Sequence, residues 1–322
     1  LGEFMFCRLI VAMDHLTHSA KLIYLAEIPA TATDKVRDEI YAQAAMRINQ
    51  VSDELAKPLQ LPVDEPAPSG RTPVQPPEDS AVRQQYMDNV LKAKEYIAAG
   101  DIFQVVLSHP FRQPLKDPPF SLYRRLRRIN PSPYMFYINF GQRQLVGASP
   151  EMLVKLQHGE VFTCPIAGTR PRGKDAAEDA RLAAELLADR KECAEHAMLV
   201  DLGRNDIGRI SLPGTVQVTK MMKVENFSHV MHIVSEVSGK LNPNYTATDT
   251  LKACFPAGTV SGAPKIRAME IINELEPERR GPYAGAVGYF DFRGNMDTCI
   301  TIRTFSIAGD EVTIQTGAGI VA

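Results

Sequence analysis

No excess of charge of either sign marks this sequence: 36 Lys+Arg stand against 38 Asp+Glu in 322 residues, a formal net charge of −2. Nucleic acid and anionic membrane both select basic surfaces, so neither is expected as the main partner. No apolar run approaches the roughly 18 residues of a membrane span, and no secretory signal pattern opens the chain. Cysteine is scarce and scattered: Cys7, Cys164, Cys193, Cys254 and Cys299 form an odd set with no C-x-x-C. That argues against a disulfide framework or zinc knuckle, and for a reducing, cytoplasmic setting. A Walker A loop, a dinucleotide fingerprint and a nucleophilic serine elbow are also missing. What is present, 44% hydrophobic and 23% charged residues, suits a globular fold and excludes disordered, collagenous and fibrous classes.

The length suggests about two domain-sized units. Seven of the 23 prolines fall in residues 57–79, which predicts a semi-extended linker there. The expected division is therefore 1–57, a Pro-rich linker over 58–80, and 81–322. The first part reads as a strand pair within 6–26 and a helix from Thr33, its cap, to Leu55, with Val36, Ile40, Ala44, Ile48, Val51 and Leu55 forming one stripe. Beyond the linker, helices are predicted over 84–99, 119–128, 176–187 and 190–203. Strands are predicted over 102–108, 134–140, 144–148, 152–157, 161–166, 283–292, 298–307 and 311–316. Blocks of strands separated by blocks of helices point to α+β, not to a doubly wound sheet. The arginines of 119–128 read as a solvated basic face. The chain opens without an initiator Met and stops just after Gly317-Ala318-Gly319, read as a glycine turn. An internal piece of a longer protein is expected.

Several residues stand out chemically. Asp189 caps the helix that follows it, with Glu192 completing a capping box. Down that helix Glu195 shares a face with Leu199 and Leu202. A carboxylate on an apolar stripe needs a partner: either a nearby arginine or a magnesium-type cation. His232, between Val230 and Val234 on a strand face, reads as a core histidine or as a proton-transfer group. His229 falls on the opposite face. Gly258-Thr-Val-Ser-Gly-Ala-Pro-Lys265 is a glycine-rich turn before a helix, with Ser261 as its cap, suited to a carboxylate. Gly168-Thr-Arg-Pro-Arg-Gly173 reads as a surface turn or, through its two arginines, an anion site. Arg303, inside an apolar strand, needs a carboxylate from the protein or from a substrate. Together these residues describe a carboxylate-binding pocket with a possible place for Mg2+.

Pro165-Ile-Ala-Gly-Thr-Arg-Pro-Arg172, the run from Lys191 to Asp206, His229-Val-Met-His232 and the turn 258–265 resemble the chorismate-utilising enzyme family, in order and over about 82–322. Within it the anthranilate synthase branch is the most similar, and residues 1–60 resemble the end of that branch's regulatory N-terminal domain. The resemblance implies an α+β fold of two large antiparallel sheets, a β sandwich with helices outside, that binds Mg2+ and chorismate in the cleft between the sheets. It implies Glu195 as a metal ligand and Glu151 as the general acid/base. His232 and Thr259 match residues near the substrate's ring carboxylate. Tyr283, Arg303, Gly317 and Gly319 match residues that hold its enolpyruvyl and carboxylate ends, with Thr169 and Lys265 as further contacts. Water-using relatives carry a lysine where this chain has Gln104, and a neutral amide takes no proton at pH 7. Aminodeoxychorismate synthases, the alternative reading, often carry a lysine nucleophile where this chain has Ala167. Both positions favour ammonia as nucleophile and anthranilate and pyruvate as products, the first committed step of tryptophan biosynthesis. The ammonia would come from a glutamine amidotransferase subunit. Asn130, Pro131, Ser132, Pro133, Tyr134 and Met135 resemble half of a tryptophan feedback site, or form a proline-rich turn before a strand. A second metal carboxylate is expected beyond Ala322. A folded but inactive fragment is the non-enzyme alternative.

Overall fold

A computed structural model describes residues 2–59, 80–227 and 230–322. The chain divides into two units, Leu1–Arg71 and Thr72–Ala322. The expected linker lies almost wholly outside the described residues, as does His229. Among the described residues no helix is long and apolar enough to cross a membrane.

In the first unit, strands β1 (Leu9–Asp14) and β2 (Ser19–Tyr24) pair antiparallel, and helix α1 spans Asp34–Leu55. Thr33 caps α1 as its sequence predicts, its Oγ1 accepting from Val36 N–H at 3.5 Å.

The second unit opens with α2 (Ser80–Ala98), β3 (Gln104–Pro114) and α3 (Pro119–Ile129). Strands β4 (Tyr134–Asn139), β5 (Arg143–Ser149), β6 (Met152–Gln157), β7 (Glu160–Thr163) and β8 (Ile166–Pro171) follow. After α4 (Ala176–Ala188) and α5 (Arg190–Gly208) come β9 (Gln217–Asn226) and β10 (Val230–Lys240). Helix α6 (Ala247–Cys254), the short β11 (Gly262–Ala263) and α7 (Lys265–Leu275) lead into β12 (Ala286–Phe290), β13 (Met296–Ile300), β14 (Thr304–Ala308) and β15 (Glu311–Ile320).

These strands build two antiparallel sheets. One runs β12-β13-β6-β7-β10-β8 with β9 on β10, the other β11-β3-β15-β14-β5-β4. Helices cover each sheet. Met231 and Ile233 of β10 pack on Leu186 of α4, and Val154, Val161 and Met296 form a core with Val200 and Ile207 of α5. On the other sheet, Val105 and Leu107 of β3 and Ile320 of β15 pack on Ala93 of α2 and Ile271 of α7. Each such fully buried branched side chain contributes about 2 kcal/mol of transfer free energy.

Four sequence expectations are corrected. The strand at 102–108 runs on to Pro114, because it pairs residue by residue with β15 from Val105↔Ile320 to Pro114↔Glu311. The same ladder makes Gly317–Gly319 strand and not turn. The segment 168–173 is mostly strand β8, paired with β10, because Cys164-Pro165 interrupts the predicted 161–166 strand and the chain resumes beside a new neighbour. The predicted 298–307 strand is two strands in different sheets, β13 and β14, joined by Thr301–Arg303.

Candidate active site

Two of the places where the chain passes from one sheet to the other touch. At the first, β5 of one sheet hands over to β6 of the other through Pro150 and Glu151. At the second, β13 hands over to β14 through Thr301–Arg303. Ser149 Oγ donates to the Ile300 carbonyl at 2.6 Å. Ile300 N–H donates to the Glu151 carbonyl at 3.0 Å, and Ala148 N–H to the Arg303 carbonyl at 3.1 Å. The backbone of Glu151 is thereby held against the second crossing.

The Glu151 side chain is 8% exposed. Burial pushes its pKa up to about 8, against a smaller lowering by the Thr259 hydroxyl and the Arg303 charge. At neutral pH it holds a proton, as a general acid must. Thr259 lies in the 3-10 turn Gly258–Val260. Its Oγ1 is buried and, apart from the contact through which it lowers the Glu151 pKa, has no hydrogen-bond partner among the described residues. Glu151 and Thr259 line a cavity of about 40 Å³ with Leu199, Leu202 and Asp206.

His232 sits on β10 opposite Thr169 of β8. Its Nδ1 is 3.0 Å from the Gly168 carbonyl and 3.1 Å from Thr169 Oγ1. A carbonyl only accepts, so Nδ1 carries the hydrogen and the neutral ring presents Nε2 as an acceptor. Burial lowers the His232 pKa, Gly168 opposes this, and the Arg303 charge lowers it further. The two arginines of 168–173 do not form an anion site. Arg170 reaches Asp189 at 2.9 Å, Glu185 at 3.6 Å and Glu192 at 3.7 Å. Arg172 pairs with Asp179 and donates to the Phe227 carbonyl at 2.9 Å. Their charge is spent within the protein.

Asp189 caps α5, accepting from Lys191 N–H at 3.0 Å and Glu192 N–H at 3.2 Å. The capping box does not close, because the Glu192 carboxylate faces Arg170. Glu195, one turn along, is half-buried and has no ion pair among the described residues. Burial raises its pKa, the Glu192 charge adds to this, and Lys191 opposes it. The salt-bridge reading of Glu195 is therefore overturned. Among the described residues no cluster of three His, Cys, Asp or Glu side chains gathers around it.

Arg303 takes a left-handed backbone conformation, φ 50°, at the second crossing and not inside a strand. It has no ion pair among the described residues, yet its charge reaches both Glu151 and His232. Gly317 and Gly319 form a low stretch of sheet. A Cβ on Gly317 would lie 2.5 Å from Tyr283 Oη, and one on Gly319 would lie 3.1 Å from Gln104 Nε2. Gln104 is buried, and its Oε1 has no hydrogen-bond partner among the described residues. Lys265 is placed differently from the others: its Nζ is buried against Asp206 Oδ2 at 2.6 Å and the Cys254 carbonyl at 3.1 Å. Ser261 does not cap α7, which starts after Pro264; its hydroxyl donates to the Ala257 carbonyl at 2.7 Å.

Glu151 and Arg303 thus stand at the sheet crossings, with Thr259 of the 3-10 turn acting on Glu151 and His232 of β10 within reach of the Arg303 charge. Gln104, Gly317 and Gly319 lie on the β3–β15 strand pair, with Tyr283 against Gly317. Asn130–Pro133 lead into β4, where Tyr134 Oη donates to Asp297 Oδ1 of β13 at 2.9 Å. Sequence reading missed Asp206, which lines the cavity and whose Oδ1 has no hydrogen-bond partner among the described residues. Only its place at the end of an already singled-out run marked it. It also missed Glu276 and Arg280, whose spacing of four carries no signal of burial.

Comparison with known proteins shows the family and the fold. The profile of the chorismate binding enzymes matches residues 1–322. Anthranilate synthase component 1 of Synechocystis sp. is 59% identical over 250 residues, 74% of this chain and 49% of that protein. The chain thus spans about half the length of that relative. The crystal structure of anthranilate synthase component I from Streptococcus pneumoniae superposes with a TM-score of 0.82 at 43% identity, covering 97% of this chain and 67% of that one. A menaquinone-specific isochorismate synthase from Escherichia coli is more distant, with a TM-score of 0.72 at 25% identity over 87% of this chain and 63% of that one.

Proposed function

The chain belongs to the chorismate binding enzyme family, and from that premise we propose that it forms anthranilate from chorismate and ammonia, releasing pyruvate and water. One observation carries the reading: Glu151, its pKa raised to about 8, is a protonated acid at neutral pH within reach of the charge of Arg303, which has no ion pair among the described residues. Chorismate is a dianion whose ring hydroxyl must leave. A cationic grip next to a proton donor serves both needs.

The substrate's enolpyruvyl carboxylate is assigned to Arg303, Tyr283 and the backbone of Gly317 and Gly319. The ring carboxylate is assigned to the side of Thr259 and His232, with Thr169 orienting the imidazole. Glu151 donates its proton to the departing hydroxyl, which leaves as water while ammonia adds at C2. Loss of pyruvate then aromatises the ring. Gln104 stands at the position where water-using relatives carry a lysine; its neutral amide takes no proton from water, which favours ammonia. Ala167 supplies no nucleophile, which disfavours the aminodeoxychorismate synthase alternative.

Mg2+ is the proposed cofactor, and Glu195 fits it. A half-buried carboxylate with a raised pKa and no ion pair among the described residues suits a hard cation that needs few protein oxygens. When bound, Mg2+ would polarise the ring carboxylate as a Lewis acid. Glutamine would serve as donor only through an amidotransferase subunit. The thiols of Cys164, Cys254 and Cys299 are pushed up to about 11, 12 and 11 by burial, which makes them poor nucleophiles. All five cysteines are free, in keeping with a cytoplasmic setting. Residues 130–135 are proposed as part of a tryptophan feedback site.

The test is incubation of the intact protein with chorismate, Mg2+ and ammonium. Fluorescent anthranilate and pyruvate are expected in equal amounts. Isochorismate or a 4-amino product as the main end product would refute the proposal.

A further inference from the structure

Glu276 and Arg280 lie just after α7, and both are nearly buried, with side chains 6% and 15% exposed. Arg280 grips Glu276 with two parallel bonds, Nε to Oε2 at 2.8 Å and Nη2 to Oε1 at 2.6 Å. Its remaining donors leave the helix. Nη1 reaches the Val260 carbonyl at 2.6 Å, and Nη2 the Val106 carbonyl at 2.6 Å. Glu276 Oε1 in turn accepts from Ser108 N–H at 2.8 Å and Ser108 Oγ at 2.9 Å. The guanidinium also lies over the Tyr283 ring, 5.6 Å from its centroid.

The segments so joined are those that carry candidate substrate contacts. Val260 follows Thr259 in the 3-10 turn. Val106 and Ser108 are the ladder partners of Gly319 and Gly317. Tyr283 stands against Gly317. One planar fork therefore spans the Thr259 turn, the β3–β15 ladder and the Tyr283 wall.

We propose that Arg280, locked by Glu276, is the positioning residue that sets the spacing between the Thr259 side of the pocket and its Tyr283–Gly317 side. The assignment of those two sides to the ends of chorismate rests on the functional reading above. Lysine cannot replace Arg280, because a single ammonium cannot reach the carboxylate and both carbonyls in the fork's geometry. A buried pair contributes little net stability against an apolar replacement, whereas removing one partner strands the other. The pair is thus better understood by the geometry it imposes.

The experiment uses Arg280→Lys and Glu276→Gln in the intact protein, with Arg112→Lys as comparison. Arg112 lies at the far end of β3 and pairs with Glu278 of the loop after α7 and with Glu311 of β15; among the described residues it makes no hydrogen bond or ion pair to 259–261, 281–285 or 317–319. Both hub variants should raise KM for chorismate roughly tenfold or more while kcat falls by no more than about threefold. Arg112→Lys should leave both unchanged. Amide hydrogen exchange at 259–261, 281–285 and 317–319 should quicken in the hub variants and not in Arg112→Lys. A lowered Tm with unchanged KM and unchanged exchange at those amides would overturn the proposal. If Arg280→Lys does not fold, Glu276→Gln alone decides. If the wild type forms no anthranilate, the functional reading fails, and hydrogen exchange still decides whether the hub couples the segments.

Discussion

Glu151 ties pH to both stability and turnover. Its folded pKa of about 8 lies above the ordinary 4.5. Between those values the folded state keeps a proton that the unfolded chain has released. The contribution of Glu151 to stability is therefore full below 4.5 and is lost as pH rises to about 8. Glu151→Gln abolishes this dependence. Denaturant titrations at pH 5 and pH 9 should show the variant gaining on the wild type by on the order of a few kcal/mol, while anthranilate formation is lost. An unchanged difference between the two proteins across that range would disprove the assignment. Glu195 gives a prediction of opposite emphasis. Glu195→Gln should leave the Tm within a few degrees, because no ion pair is broken. It should weaken Mg2+ binding in calorimetry at least tenfold. Equal Mg2+ affinity in the two proteins would remove Glu195 from the metal site.

At the scale of elements, the glycines of β15 matter as strand and not as turn. Gly317→Ala places a methyl 2.5 Å from Tyr283 Oη and 3.1 Å from the Leu107 carbonyl. Overpacking of this kind costs about 1–3 kcal/mol. The variant should lose chorismate affinity, since the side chain enters the proposed pocket. Thr313→Ala, further along the same strand, should leave affinity unchanged, and equal effects of the two would argue that β15 does not floor the pocket. The expected glycine turn was misread for a physical reason. Glycine signals either a left-handed backbone or a close approach, and only the neighbour distinguishes them. Gly294 and Gly309, by contrast, lie in turns with φ of 83° and 58°.

For the whole molecule, the decisive feature is that two sheets share one chain at two touching crossings. Tyr134 of β4 donates to Asp297 of β13, a further tie between the sheets. Tyr134→Phe removes that bond and leaves Asp297 with Lys155 at 3.9 Å. Urea unfolding should show a loss of about 1–3 kcal/mol with the m-value unchanged. A loss no larger than that of a surface Tyr→Phe variant would mean that the sheets are not coupled there.

Much of this was legible in the chain. The cap at Thr33, the cap at Asp189, most helices and most strands follow from periodicity and turn chemistry, which act over a few residues. The carboxylate on an apolar stripe and the glycine-rich turn were visible for the same reason. Sequence did not reveal that 298–307 divides between two sheets, which is what brings Arg303 to Glu151 and His232. Nor did it show that Arg170, Arg172 and Lys265 have protein partners while Arg303 and Glu195 lack ion-pair partners among the described residues. Residue type and local pattern determine which groups are able to carry charge and which faces must be buried. Desolvation, pairing and the spacing of a pocket depend on neighbours far away in sequence, and only the packing of the two sheets supplies those.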